Sequence, residues 1–226
     1  MDNIYIKLKD YNIQSALDYE NSDRQYLALK KLWDNLKLKD ENTYLSFIIT
    51  NSLICYQLSG KGEDYWEEFS HKLLFYLNSG ERDLLNFFKL FLPNSKNNKR
   101  FVNVKINRIN KLIPFFEKLK SNELYYYENM NELVLEIARV MKQKINAKTI
   151  VFAVKMFSYG ARNCFGKVIY FPFEISIPID SRLTKVYEKY GSKDEKIETF
   201  YSRISNKLKI PELHLDAIIW NKKDLC

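Results

Sequence analysis

Apolar residues recur three and four positions apart along most of this chain, and this spacing limits what the chain can fold into. Such series occur at Leu45, Ile48, Ile49 and Leu53, and in residues 73–77, 84–92, 102–119 and 133–141. Only 6 residues are Gly and 5 are Pro, so few positions interrupt helices. The pattern predicts an ordered, all-α protein, with a turn at residues 59–62 and a helix end after Pro93.

Length and composition exclude several protein classes. A chain of 226 residues with 46% hydrophobic residues can bury the core of one domain, or of two small lobes that share a cleft. No segment reaches the ~18 uninterrupted apolar residues of a membrane span, and residues 1–7 lack the pattern of a secretory signal. We therefore expect a cytoplasmic protein without a membrane-spanning segment.

The cysteines and histidines argue against metal chemistry. Cys55, Cys164 and Cys226 are isolated, with no C-x-x-C spacing, and the two histidines, His71 and His214, are far apart in sequence. This distribution is unlike a zinc site, a disulfide framework or a four-cysteine iron–sulfur cluster. We expect neither a metal nor another cofactor.

The chain is basic, with a formal net charge of +8. A basic protein favours polyanionic partners, because neutralising phosphates releases counterions. The strongest local candidate is residues 94–111, where the cations have no acidic neighbours. The same pattern is also typical of an exposed loop that leads into a basic, solvated helix.

Lys148 lies at the predicted start of an apolar helix. On this helix Lys148, Phe152 and Lys155 fall at i, i+4 and i+7 and share one stripe. The helix macrodipole and partial burial both disfavour the charged form of Lys148, which is the condition for an amine nucleophile. The alternative, which stays open, is that both lysines extend to solvent along an apolar surface.

Residues 166–180 break the helical pattern, because Pro172 and Pro178 prevent a helix and the apolar residues alternate. They predict an extended connector, with or without a short strand. Asp180 ends the connector at the position of an N-cap residue. A capping carboxylate is also held ionised and oriented by backbone N–H groups, so Asp180 is a candidate for both roles.

Asp216 lies in a nearly wholly apolar helix that begins at Pro211, and Trp220 follows one turn later on the same face. A carboxylate and an indole can together accept hydrogen bonds from a nucleobase and stack on its plane. A tryptophan in the core, with Asp216 paired to an arginine or lysine, explains the pattern equally well.

Several blocks of sequence resemble a known family. They are residues 148–155, 172–182 and 211–220, with residues 23–26 and 51–66 in the N-terminal half. Together, over about residues 20–220, they are similar to the archaeal 8-oxoguanine DNA glycosylases of the helix–hairpin–helix superfamily. Where the superfamily hairpin usually has two glycines, residues 143–147 contain none, a departure that fits the archaeal family better.

The resemblance implies a two-lobed, all-α helix–hairpin–helix fold with the active site in the cleft between the lobes. We expect one lobe to comprise residues 1–44 plus 149–226, and the other residues 45–148, which end in the hairpin. The expected partner is damaged DNA, which a monomer would bind in the cytoplasm as part of the nucleoid.

The resemblance also implies a bifunctional reaction. Lys148 would attack C1′ of the damaged nucleotide, expel 8-oxoguanine and form a Schiff base, after which β-elimination nicks the strand. Asp180 would orient or deprotonate the lysine and stabilise charge at the sugar. The residues expected to hold the extruded base are Gln25, Trp66, Phe152, Lys155, Asp216 and Trp220.

Two alternatives remain from the sequence. One is a glycosylase of the same type that excises another damaged base, since a single pocket residue can change the preferred base. The other is a basic helical module that binds nucleic acid without chemistry, in which Lys148 only contacts phosphate.

Overall fold

The computed structural model describes residues 3–225, and all regular structure in this part of the chain is helical. The helices are α1 (Asn3–Leu8), α2 (Ile13–Ser22), α3 (Arg24–Asn35), α4 (Glu41–Ile54), α5 (Gly62–Asn78), α6 (Leu84–Asn94), α7 (Val102–Asn110), α8 (Ile113–Leu119), α9 (Glu123–Glu128), α10 (Met130–Met141), α11 (Lys148–Phe165), α12 (Ser181–Tyr190), α13 (Ile197–Leu208) and α14 (Glu212–Asn221), with a 3-10 turn at Lys223–Leu225. The predicted all-α fold is confirmed.

Aspartate caps fix where several helices begin. Asp23, Asp40, Asp83 and Asp180 each precede a helix and accept a hydrogen bond from a backbone N–H group of its first turn. Each such cap contributes about 1 kcal/mol to helix stability. These local hydrogen bonds therefore fix the first residue of several helices that supply the site.

The larger hydrophobic cluster is built around α4 and α11. All side chains of α4 from Tyr44 to Ile54 are buried, and α11 packs directly across this helix. Gly160 permits the close approach, because a Cβ there would lie 2.5 Å from Ile48 Cδ1 and 3.0 Å from Leu45 Cδ2. The helix that begins with Lys148 is therefore held firmly along its length.

A smaller hydrophobic cluster joins α1, α12, α13 and α14. Helix α14 contributes to both clusters, since Leu213 packs in the larger one and Leu215 in the smaller one. Residues from both clusters thus meet along α14. The division of the chain into lobes at residues 44 and 148 stays a prediction.

A buried network ties α2, α11 and α14 together. Glu20 accepts hydrogen bonds from Arg162 Nη2 at 2.7 Å and from His214 Nδ1 at 2.6 Å. Although burial alone would raise the pKa of Glu20, His214 and Arg162 lower it. His214 Nε2 accepts the Phe171 N–H at 3.1 Å, so the proton of this imidazole lies on Nδ1.

The connector before Asp180 forms as predicted, without a strand in the described structure. Its backbone N–H groups bind side chains of α14 instead of a neighbouring strand: Phe171 donates to His214, and Ile177 donates to Glu212 Oε2 at 2.8 Å. Helix α14 therefore positions the chain that leads to Asp180.

The helical series over residues 102–119 was predicted as one segment and forms two helices. The chain turns at Lys111 and Leu112, and Pro114 lies in the first turn of α8, where its missing N–H costs nothing. The predicted turn at residues 59–62 and the helix end after Pro93 are confirmed, since α5 begins at Gly62 and α6 ends at Asn94.

Candidate active site

Lys148 is the first residue of α11, as predicted. Ala147 precedes it as the N-cap and offers no side-chain hydrogen bond to the first turn. The Lys148 side chain is exposed, so the partial burial expected from the apolar helix is wrong. The reason is its position, because side chains tilt towards the helix N-terminus and the first residue extends past the packed faces.

Phe152 and Lys155 carry the same stripe of α11 into the interior. Phe152 is half-buried, whereas only 5% of Lys155 is exposed. The alternative in which both lysines reach solvent is therefore wrong for Lys155. One helix face thus presents an exposed amine, an aromatic ring and a buried amine in succession.

Lys155 forms a buried ion pair with Asp216 of α14. Lys155 Nζ lies 2.5 Å from Asp216 Oδ2, and the two side chains are 6% and 4% exposed. Burial alone would lower the pKa of Lys155, but Asp216, Asp23 and Glu20 together raise it. The other carboxylate oxygen, Asp216 Oδ1, is buried without a hydrogen-bond partner in the described structure.

We expect Lys155→Met to destabilise the fold by about 3 to 5 kcal/mol, because the Asp216 carboxylate would stay buried without its cation. Urea unfolding at neutral pH measures this loss. The double variant Lys155→Met/Asp216→Leu removes both charges and should unfold at higher urea than Lys155→Met alone. A double variant that is no more stable than the single one would contradict the ion pair.

Asp180 caps α12, as predicted. Its Oδ1 accepts the N–H groups of Arg182 at 3.0 Å and Leu183 at 2.9 Å, and the residue is half-buried. Burial raises the pKa of Asp216, and the nearby charge of Asp180 raises it further. Asp180 and Asp216 therefore belong to one electrostatic environment, although no hydrogen bond joins Asp180 to Lys148 in the described structure.

Trp220 lies in the last turn of α14 and is 42% exposed, so its placement in the core is wrong. The guanidinium of Arg182 lies over its ring, 5.1 Å from the centroid. Arg182 follows the Asp180 cap, and this stacking brings Trp220 towards the same end of α12. Sequence reasoning missed this role of Arg182, for which the only signal was its nearness to Asp180.

Trp66 and Gln25 belong to α5 and α3, two helices that pack against each other. Trp66 of α5 is fully buried, with its ring 6.3 Å from that of Phe152. Its Nε1 lies beside the Cys55 thiol without a well-formed hydrogen bond. Gln25 is half-buried at the start of α3, and its Nε2 would lie 3.5 Å from a Cβ placed at Gly62, one turn before Trp66.

Cys55 is a neighbour that the sequence did not identify as part of the site. Burial raises the pKa of its thiol to about 12, although Trp66, Lys105 and Lys148 act in the opposite direction. The thiol is therefore protonated at neutral pH and does not compete with Lys148 as a nucleophile. Cys55 therefore lies beside Trp66 and interacts electrostatically with the Lys148 amine.

Several of the predicted site residues are thus linked by contacts or by a shared helix. Trp66 lies against Phe152, the α11 stripe leads from Lys148 and Phe152 to the Lys155–Asp216 pair, and α14 continues to Trp220. Two cavities, of about 230 and 450 Å³, lie elsewhere, beside Asn146 and Ser176, and neither is lined by any predicted site residue.

Among residues 3–225, no three His, Cys, Asp or Glu side chains are grouped so as to hold a metal ion. The helices of this region also include none with the length and apolar character of a membrane span.

The fold is that of a helical DNA glycosylase. It matches a crystal structure of the 8-oxoguanine DNA glycosylase of Pyrobaculum aerophilum, complexed with 8-oxoguanosine, with a TM-score of 0.77 and 24% identity over 96% of this chain and 84% of that chain. The family model for AGOG, described as N-glycosylase/DNA lyase, matches residues 6–225. The chain therefore belongs to the AGOG family.

Two similar proteins agree with this assignment. An N-glycosylase/DNA lyase of Thermococcus kodakarensis is 42% identical over 94% of this chain and 80% of its own length. Another, from Methanococcus maripaludis, is 38% identical over 93% of this chain and 82% of its own length. This chain is a DNA repair glycosylase with an associated lyase activity, and the reading as a non-catalytic binding module is wrong.

Proposed function

We propose that this enzyme excises 8-oxoguanine from DNA and nicks the strand, with Lys148 as the nucleophile. One observation carries the proposal: a single face of α11 presents the exposed Lys148 amine and, two turns further on, the buried Lys155–Asp216 pair. An amine for the sugar and a polar pair for the base are thereby held on one rigid element.

The unpaired polar atoms support recognition of an extruded base. Asp216 Oδ1 and Trp66 Nε1 are buried without hydrogen-bond partners in the described structure. In 8-oxoguanine N7 carries a hydrogen, whereas guanine has an acceptor there, so a fixed carboxylate oxygen accepts from the lesion and repels guanine. Because Lys155 engages only Oδ2, Oδ1 is available for this contact.

Phe152 and Trp220 would stack on the two faces of the base, and Gln25 would bind its edge. A base taken out of the duplex loses a few kcal/mol of stacking, and aromatic faces restore part of it at about 1 to 3 kcal/mol per base. The two hydrophobic clusters meet along α14, which carries Asp216 and Trp220, and this supports a site in a cleft between lobes.

The chemistry proceeds through the Lys148 amine. Its nitrogen attacks C1′, the bond from C1′ to the base breaks, and the electron pair leaves with the base, which takes up a proton. Opening of the sugar ring gives a Schiff base between Lys148 and C1′. Loss of a C2′ proton then expels the 3′ phosphate by β-elimination.

Asp180 would stabilise the positive charge that develops at the sugar and receive the proton from Lys148. Two backbone N–H groups hold its Oδ1, so the carboxylate is oriented before substrate binds and does not reorganise during the reaction.

An excision assay tests this function. Duplexes with a single 8-oxoguanine, uracil, hypoxanthine or unmodified guanine are incubated with the enzyme in a chelating buffer, and nicked strands are separated before and after alkali. The proposal predicts nicking of the 8-oxoguanine duplex without alkali and none of the guanine duplex. Preferential excision of another base would keep the family activity and overturn the proposed substrate.

We expect Trp220→Ala to weaken binding of 8-oxoguanine DNA by about 1 to 3 kcal/mol, the range for one base stacked on an aromatic side chain. Binding of undamaged duplex should change little. Fluorescence anisotropy with both duplexes measures the difference, and Phe75→Ala, which removes another exposed aromatic, is the control. Equal losses on both duplexes would refute the stacking role.

We further propose that the enzyme acts as a monomer, without a metal ion. The supporting arguments are that an amine nucleophile needs no metal ion to attack C1′, and that α11 and α14 of the same chain bring Lys155 and Asp216 into direct contact. Activity that persists in the chelating buffer, and a single-chain mass by light scattering, are the expected results.

A further inference from the structure

Two cations of α7 lie beside one aromatic ring near α11, the helix that begins with Lys148 and is called the catalytic helix below. Lys105 Nζ is 5.0 Å from the centroid of the Tyr56 ring, and the guanidinium of Arg108 is 5.7 Å from it. Lys105 is fully buried and Arg108 is half-buried. They are one turn apart on α7, within the basic segment that the sequence marked as a candidate for a polyanion.

Neither cation has a carboxylate partner among residues 3–225. Lys105 donates a hydrogen bond to the Asn98 side chain, and burial lowers its pKa to about 8. Arg108 Nη2 donates to Gln143 Oε1 at 2.5 Å and to Thr149 Oγ1 at 3.0 Å. All three acceptors are neutral, so both charges are desolvated without an anion, an arrangement that destabilises a fold and is typical of functional sites.

The contacts of Arg108 place it at the start of the catalytic helix. Thr149 is the residue after Lys148, and Gln143 belongs to the connection between α10 and α11. Lys105 and Lys148 both act on the Cys55 thiol. Arg108 thus lies within hydrogen-bonding distance of the residue next to Lys148, and Lys105 shares the Tyr56 ring with it.

We propose that Arg108, supported by the charge of Lys105, binds a backbone phosphate of the DNA strand next to the nucleotide that Lys148 attacks. This inference rests on the function proposed above. Arg108 is the group that contacts the phosphate, because it is partly exposed and its planar fork matches phosphate oxygens. Lys105 is covered and acts through its charge, which low-dielectric surroundings screen only weakly.

The connection between α10 and α11 gives a reason for this arrangement. Residues 143–147 contain no glycine, and a Cβ at every position restricts how closely a phosphate approaches backbone N–H groups. Gln143 is instead held by Arg108. Side-chain cations from α7 thus supply the positive charge beside the hairpin.

A phosphate scan tests the contact. In a Lys148→Gln background, which leaves the DNA uncut, binding is measured for duplexes in which one phosphate near 8-oxoguanine at a time is replaced by a neutral methylphosphonate. We expect one position to cost about 10-fold or more in affinity, and Arg108→Gln to lose affinity and become insensitive to that position. In Arg108→Gln the slope of log K against log salt concentration should also become less steep by about 1.

Arg139→Gln is the matched control, since Arg139 is an exposed arginine paired with Glu136. It should keep the phosphate sensitivity of the parent protein. The contact is overturned if Arg108→Gln keeps the parent's affinity and salt slope, or if it remains sensitive to the same phosphates. A wild type that binds the lesion duplex but excises nothing would defeat the proposed function, while the scan would still decide the contact.

The Lys105→Met variant tests whether Lys105 contributes to DNA binding or only to the stability of the fold. Because the folded pKa of Lys105 lies below the usual 10.5, the unfolded chain holds more protons between pH 8 and 10.5, and wild-type stability rises across this window. The variant should lose that rise, melt at a higher temperature at pH 7 and bind DNA more weakly. A lower melting temperature with unchanged DNA affinity would show a merely structural lysine.

Discussion

Lys148→Gln is expected to lose both base excision and strand nicking, by at least about 1,000-fold in the single-turnover rate, because glutamine has no nucleophilic amine. The fold should be unaffected, since Lys148 is exposed and such substitutions change stability by only about 0.5 kcal/mol. Nicking of 8-oxoguanine duplex with enzyme in excess measures the rate, and thermal unfolding measures the stability.

Lys144→Gln is the control for this experiment. Lys144 is also an exposed lysine, in the connection just before α11, and the variant makes the same change in charge. Excision should stay close to wild type. If Lys148→Gln retained nicking at the rate of Lys144→Gln, the amine nucleophile would have to be another residue.

Asp180→Asn is the second large effect. Asparagine caps a helix about as well as aspartate, so the hydrogen bonds to Arg182 and Leu183 and the melting temperature should be nearly retained. The negative charge at the sugar is lost, and we expect excision to fall by about 100- to 1,000-fold, the cost of removing one preorganised electrostatic group. Single-turnover excision and lesion binding are measured together, because the proposal predicts a loss of rate with binding preserved.

The matched control is Asp40→Asn. Asp40 is another half-buried aspartate cap, which accepts the Thr43 N–H at 3.2 Å at the start of α4. It should leave excision unchanged. An Asp180→Asn enzyme that unfolds readily, or one that excises as fast as Asp40→Asn, would reduce Asp180 to a helix cap.

The features predicted correctly from the sequence are those fixed by short-range interactions. The start of α11 at Lys148 and the cap at Asp180 depend on residues within one turn, and both are confirmed. The connector was predicted for the same reason, because each of its prolines restricts the local backbone. The break between α7 and α8 was missed, since the apolar spacing continues across Lys111 and Leu112.

Features that depend on distant parts of the chain stayed open until the fold was known. The pattern around Asp216 allowed both a base-binding carboxylate and an ion pair, and only the packing of α14 near α11 identifies Lys155 as its partner. Exposure was also misjudged, because periodicity does not show that Lys148 extends beyond the packed faces. Cys55 carried no local signal, and the basic segment 94–111 did not single out Lys105, since the environments of both residues come from helices that are distant in sequence.

Lys105 is the residue that competes with Lys148 for the role of amine nucleophile. Its pKa of about 8 is within the range of activated amine nucleophiles, and it lies near the same thiol as Lys148. The choice of Lys148 rests on its exposure at the helix start, where a sugar carbon can reach it. Attack by Lys148 and attack by Lys105 would therefore give different covalent adducts.

Borohydride trapping followed by peptide mapping distinguishes them most directly. Wild-type enzyme is incubated with 8-oxoguanine duplex and borohydride, the adduct is digested, and the modified lysine is located by mass spectrometry. We expect a single adduct on Lys148 and none with guanine duplex. An adduct on Lys105, or efficient nicking without any adduct, would overturn the assignment of Lys148 as the nucleophile.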